Sequence, residues 1–132
     1  MNIDGKTRLL GLLGDPVEHT MSPVIHNTLS DVLGFNEVYV PFHTTSEGLK
    51  NAVKGAYDLN ILGMNATVPH KNAVMDMLVD IDAGAKAIGA VNTLVRVEGG
   101  YKGYNTDMMG LSRELDVYGI SLKERNAVIL GA

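Results

Sequence analysis

"NILGMNATVPHK" (60–71) runs from an apolar, strand-like segment straight into a proline and two basic residues. A strand that passes so abruptly into a helix is the unit of an α/β fold, with Pro69 at the first helical position, where a missing N–H costs nothing. Lys71 then falls in the first helical turn, where the positive end of the helix dipole makes a cation least welcome. Either a nearby anion or a use for a lysine that gives up its proton readily must account for it.

The same alternation recurs on both sides of this stretch. Upstream, "RLLGLLG" (8–14) is a short apolar run of the kind that forms a strand buried on both faces. From Pro23, the residues Ile25, Leu29, Val32 and Leu33 share one helical face, expected to be buried, and Gly34 is a suitable stop. "EVYVPFH" (37–43) alternates with Val38, Val40 and Phe42 on one side, and Pro41 places that strand at a sheet edge. Ser46 is a candidate cap for a helix that buries Leu49, Ala52, Val53 and Ala56. Downstream, the pattern predicts a helix over 82–90, a strand over 91–97, a turn at Glu98-Gly99-Gly100 and a returning strand through "YKGYN". A last helix from Thr106 is expected to bury Leu111, Leu115 and Tyr118 and to end at Gly119. The expectation is an α/β fold of three layers: a mixed, mainly parallel sheet with helices on both faces and one antiparallel hairpin.

Composition narrows the function classes. Hydrophobic residues make up 45% and charged residues 20% of the 132 residues, enough for one domain with a real core. The net charge of -4, with Lys and Arg scattered, disfavours nucleic acid and anionic membranes as partners, since either needs a clustered basic face. No apolar run approaches the ~20 residues that span a bilayer, and the N-terminus lacks a signal-peptide layout. Cysteine is absent, which removes disulfides and thiolate metal sites. A cytoplasmic location is the expectation. His19, His26, His43 and His70 share no metal-ligand spacing, so no metal is expected.

Polar groups concentrate at four places: "GDPVEHTMSPVIHN" (14–27), "NATVPHK" (65–71), "GAVNTL" (89–94) and "GYNTDMMG" (103–110). In an open α/β sheet ligands bind beyond the carboxyl ends of the strands, so these junctions are expected to share one cleft. Each also has a plain structural reading. Ser22 before Pro23 suits an N-cap, Thr106-Asp107 suits a cap with a dipole-favoured carboxylate, and Asn92 suits a local turn. Lys71 fits its plain reading least. Burial and a positive helix end favour the neutral amine, a facing carboxylate the ammonium. A Lys71–Asp107 pair under such opposed influences suits proton transfer to an alcohol or ketone oxygen. Thr20 and Ser22 offer hydroxyls at a helix N-terminus for a carboxylate, while Asn65, Thr67 and Asn92 both donate and accept, as a hydroxylated ring requires. The residues by themselves thus point to a cleft for a small, polar, anionic polyol.

In this order and spacing, the four stretches resemble the shikimate dehydrogenase family, specifically its N-terminal substrate-binding domain, over residues ~8 to 132. "GDPVEHTMSPVIHN" resembles the family's G-x-P-x-x-H-S-x-S-P-x-x-H-N, "GMNATVPHK" its G-x-N-V-T-V-P-x-K, and "IGAVNTL" and "GYNTD" its next two motifs. The resemblance implies that Thr20 and Ser22 hold the substrate carboxylate. It implies that Asn65, Thr67, Asn92 and Asp107 bind ring hydroxyls or help shape that pocket, and that Lys71 and Asp107 are the proton-transfer pair for NADPH-dependent reduction of 3-dehydroshikimate to shikimate. Thr20 stands where serine is usual, which leaves a related acid such as quinate open; Ala66 replaces a usual valine. Met108 stands where glycine is common and is expected to crowd the cleft or shift Asp107.

"RNAVILGA" (125–132) reads as a strand running into glycine, as a dinucleotide-binding unit opens. The expected division is a substrate domain over 1–123 and the first strand of an NADP-binding domain over 124–132, with Gly131 and Ala132 at the cofactor turn. By that reading the chain alone binds no cofactor and is inactive, and its unpaired strand 126–130 favours a homodimer. A non-catalytic binding module for a cyclic acid, and a structural domain with ordinary caps, remain as alternatives.

Overall fold

The computed structural model describes residues 2–130. Six strands form one sheet: β1 (Arg8–Gly14), β2 (Glu37–His43), β3 (Gly63–Ala66), β4 (Asp80–Ile81), β5 (Thr93–Val97) and β6 (Gly100–Tyr104), in the order β2-β1-β3-β5-β6-β4. The β1 strand pairs in parallel with β2 and β3, and β6 with β4; β5 runs antiparallel to both β3 and β6. Pro41 lies on the edge strand β2, where its missing N–H breaks no ladder. The two-residue β4 at the other edge had no signal in the sequence, being too short for a period.

Because β5 runs against its neighbours, its entry lies at the same sheet edge as the exits of β1, β3 and β6. The register sets Asn65 beside Thr93 and Thr93 beside Tyr104. All four polar stretches therefore reach one edge of the sheet.

Helices α1 (Ser22–Leu33), α2 (Leu49–Asp58), α3 (His70–Ala73), α4 (Ala83–Ile88) and α5 (Thr106–Val117) connect the strands. The main core gathers Leu49, Val53 and Ala56 of α2 with Leu13, Met64, Leu94 and Tyr101 of the sheet. A smaller core of Leu12, Val17 and Tyr39 lies apart from it. The face predicted for α2 is the face it buries. For α1 and α5 it is not. Ile25, Leu29, Val32 and Leu33 are 50–76% exposed, and Leu111 and Tyr118 are also exposed. The sole residue α1 buries is Ser30, and α5 buries none. An apolar stripe states which side of a helix seeks cover; it does not supply the element that covers it.

Local signals fared unevenly. Gly34 ends α1 in the left-handed conformation at φ 71, as predicted. The helix predicted over 82–90 is shorter, and its cap is Asp82, whose side chain accepts from the Gly84 N–H. Met21, not Ser22, is the residue before α1, and it makes no side-chain cap. Thr45 rather than Ser46 accepts from the Gly48 N–H ahead of α2. At α5 the cap is Asn105, accepting from the Met108 N–H, so Thr106 is already helical. Pro69 stands just outside α3. That helix has four residues, so its first and last turns coincide and the dipole argument about Lys71 loses its force. On β2 the deeply buried residue is Tyr39, not the Val38–Val40–Phe42 side. Residues 125–130 form no strand, and Val128, Ile129 and Leu130 are 79–90% exposed. A lone strand without a neighbour to bond is not stable by itself. Gly131 and Ala132 lie outside the described residues.

Candidate active site

Lys71 Nζ donates to Asp107 Oδ2 at 2.6 Å, joining α3 to the first turn of α5 across 36 residues of chain. Three backbone and side-chain ties set up this meeting. The Val91 N–H donates to the Lys71 carbonyl at 2.7 Å, Asn72 Nδ2 to the Gly89 carbonyl at 2.6 Å, and Asn105 Nδ2 to the Ala90 carbonyl at 3.0 Å. The "GAVN" stretch is thus gripped from one side by α3 and from the other by the cap of α5. Its residue types follow from that: small side chains let both helices approach, and asparagines supply the forks.

The pair is partly open. The Lys71 side chain is 35% and the Asp107 side chain 59% exposed, so the desolvation expected to act on the lysine is only partial in this chain. A hollow of about 290 Å³ extends from Leu10 and His26 past Tyr39 and Asn65 to Thr93 and Val95. Lys71 and Asp107 do not line it. The groups expected to share one cleft stand along one edge of the sheet. Asn92 is buried there: its Oδ1 accepts from the Thr106 N–H at 3.0 Å and the Thr93 hydroxyl at 2.9 Å, and its Nδ2 donates to the Thr106 hydroxyl. Asn65 Nδ2 donates to the Asn92 carbonyl at 3.1 Å. At the other end, the Thr20 hydroxyl donates to Ser22 Oγ and accepts from the Ser22 N–H, each at 3.2 Å. Thr67 follows β3 directly, and its N–H donates to the Leu13 carbonyl.

Met108 does not crowd this edge. Its side chain turns to α4, ending 3.0 Å from where a Cβ on Gly84 would stand. Ala66 is a buried core residue. His70 is buried with Nε2 2.6 Å from the Thr44 carbonyl, so Nε2 carries the proton. Among the described residues, no group of three or more His, Cys, Asp or Glu is placed to hold a metal ion, and no helix is long and apolar enough to cross a membrane.

Two members of the edge were not singled out from the sequence. Tyr39 donates its hydroxyl to Asn65 Oδ1 at 2.8 Å. Thr93 sits between Asn65 and Asn92. Thr93 was within a quoted stretch, beside Asn92, but Tyr39 carried no local signal. Burial pushes the Tyr39 phenol from 10.0 up to about 12, with a hydrogen-bonding interaction from Ser22 working against the shift. Unfolded tyrosine loses its proton near its ordinary value while folded Tyr39 still holds it, so the folded state binds more protons between those limits. Stability is therefore expected to fall as pH rises from 10.0 to about 12. Urea unfolding across that range should show the decline, shallower in Tyr39→Phe.

Gly14 ends β1 against Thr67. A Cβ there would stand 2.5 Å from Thr67 Cγ2 and 3.1 Å from Val17 Cγ1. Gly14→Ala is expected to cost about 1–3 kcal/mol through overpacking and to push Thr67 off its position. Thermal unfolding and ligand titration would both register it.

Residues 12–94 match the family model for the shikimate dehydrogenase substrate binding domain. The chain belongs to that family. Among its curated relatives is the shikimate dehydrogenase (NADP(+)) of Methanococcus maripaludis strain C7, 50% identical over 98% of this chain and 46% of that protein. A crystal structure of a shikimate dehydrogenase in complex with NADP+ superposes at TM-score 0.86 and 43% identity, covering 91% of this chain and 42% of that one. Shikimate 5-dehydrogenase from Listeria monocytogenes, solved in complex with shikimate and NAD, superposes at TM-score 0.86 and 34% identity, covering 92% and 42%. This shikimate dehydrogenase-family domain thus spans about half the length of the relatives it matches. Its described residues contain no glycine-rich turn that leads from a strand into a helix and would cradle a dinucleotide. The groups the described residues present at the sheet edge are those of hydrogen bonding and proton transfer.

Proposed function

We propose that this chain is the substrate-binding half of an NADP-dependent shikimate dehydrogenase, which interconverts 3-dehydroshikimate and shikimate. The 2.6 Å contact between Lys71 and Asp107, made between two separate elements at the polar sheet edge, carries the reading. When bound, a reduced nicotinamide supplies the hydride for the carbonyl carbon. Lys71 gives its proton to the oxygen as the alcohol forms and takes it back in the reverse direction, while Asp107 holds the amine in line. Asn65, Thr67 and Asn92 meet the ring hydroxyls, and Thr20 and Ser22 the carboxylate. Residues 124–132 belong to the cofactor domain, and Gly131 and Ala132 are among its cofactor-binding residues. A cytoplasmic location and self-association through the exposed Val128–Leu130 stretch complete the reading.

Hydride transfer needs the donor held at reactive distance. The 132-residue chain alone is therefore expected to bind shikimate weakly and to show no shikimate-dependent reduction of NADP+, whereas the full-length polypeptide shows it. Turnover by the chain alone would refute the division of labour. A full-length polypeptide inert toward shikimate would refute the function.

A further inference from the structure

Tyr39 lies on β2, away from the four polar stretches, yet its hydroxyl ends at Asn65. Tyr39 is 4% exposed, and its ring stacks on His26 with centroids 4.3 Å apart and planes 9° from parallel. Its backbone is held on both sides by Asn27: Nδ2 donates to the Tyr39 carbonyl at 2.9 Å, and Oδ1 accepts from the Tyr39 N–H at 2.8 Å.

The chemistry of the partners dictates which way each proton points. The Asn92 carbonyl can only accept, so the group facing it at 3.1 Å must be the Asn65 NH2. Asn65 Oδ1 therefore faces Tyr39, and the phenol must be the donor. The second Asn65 NH points to the Thr93 hydroxyl at 3.2 Å, which passes its own proton to Asn92 Oδ1 at 2.9 Å. Asn92 Nδ2 in turn donates to the Thr106 hydroxyl at 2.9 Å, one residue before Asp107. From Tyr39 through Asn65, Thr93 and Asn92 each side chain donates to the next, an arrangement in which each bond polarises its neighbour, while the Thr106 N–H donates back to Asn92 Oδ1 at 3.0 Å.

Counting what is left on Asn65 gives a chemical consequence. Both of its amide hydrogens are committed, and one of two lone pairs on Oδ1 is taken by Tyr39. A ligand finds there one acceptor and no donor. Without the phenol, the carboxamide keeps its two donor contacts to Asn92 and Thr93 but loses the one tie on its oxygen, so its orientation toward a ligand is held less firmly.

The geometry points to Tyr39 as a positioning residue that locks the Asn65 carboxamide so that the site accepts a hydroxyl proton from the ligand ring at that point. The inference rests on the shikimate reading above. It gives Tyr39 no part in the proton transfer at Lys71, so it predicts an effect on binding and none on the chemical step.

The test uses the full-length polypeptide. Tyr39→Phe keeps the ring and its stacking and removes the hydroxyl. KM for shikimate is expected to rise about tenfold, the order of one lost hydrogen bond, with kcat and its pH profile unchanged. Tyr101→Phe is the matched control, since that buried phenol donates to the Ile61 carbonyl at 2.7 Å within the core. It should lower Tm and leave KM alone. In an Asn65→Ala background, Tyr39→Phe should raise KM less than twofold further, because its effect runs through Asn65. An unchanged KM in Tyr39→Phe, or a full additional loss in the Asn65→Ala background, would overturn the assignment. Should the wild type not turn over shikimate, the functional reading fails on its own. The Tyr39 role is then decided by 15N NMR of the Asn65 carboxamide, whose solvent exchange is expected to quicken at least tenfold in Tyr39→Phe; equal exchange would reject it.

Discussion

Lys71→Ala in the full-length polypeptide is expected to lower kcat by about 10²–10⁴-fold, the usual contribution of a positioned acid–base group. KM for shikimate should move only a few-fold, because the hydroxyls and amides that meet the ring are on other elements. The fold should tolerate the change. The Lys71 side chain is 35% and its carboxylate partner 59% exposed, so truncation strands no charge in an apolar interior, and Tm should stay near that of the wild type. Lys71→Arg separates proton transfer from simple charge. A guanidinium keeps the positive charge beside Asp107 but does not release a proton in this range, so it too should lose kcat. Wild-type turnover in Lys71→Arg would show that the charge, not the proton, is what the reaction uses.

The second large effect is expected at Asn92. Its carboxamide alone takes the Thr106 N–H and the Thr93 hydroxyl and donates to the Thr106 hydroxyl. Asn92 is buried, at 8% exposure, so water does not readily replace these bonds. Asn92→Ala is expected to destabilise the protein by about 2–4 kcal/mol, from two or more polar groups left without partners. It should also loosen the start of α5, which carries Asp107 to Lys71, and weaken shikimate binding by at least about tenfold. Urea unfolding and calorimetric titration measure the two effects separately. Lower stability with unaltered affinity would mean that the start of α5 is held by other contacts.

The candidate site was legible in the sequence to the extent that the groups proposed for it lie close together along the chain. Thr20 and Ser22, Asn65 and Thr67, Asn92 and Asp107 lie in short motifs at junctions that hydrophobic periodicity locates. The βα alternation, the edge position of Pro41 and the left-handed Gly34 follow from the same short-range rules. Capping was harder. Asn105 and Thr106 are adjacent and both are good cap residues, and only the register of α5 shows that Asn105 takes the Met108 N–H. Tyr39 was out of reach altogether. A tyrosine in an edge strand reads as packing, and its hydroxyl gains meaning only when β1 sets β2 and β3 two strands apart with Asn65 facing it.

What the residues by themselves determined is the succession of elements and the groups able to carry chemistry, since turns, caps and alternation act over a few positions. Tertiary structure alone decided which groups meet. Lys71 and Asp107 are 36 residues apart, and they touch because β5 starts at the edge where β3 ended and the antiparallel β6 brings the chain back to it. It also decided which apolar faces are covered: the stripes on α1 and α5 were plain in the sequence and remain exposed, because burial needs a second surface that no stripe encodes.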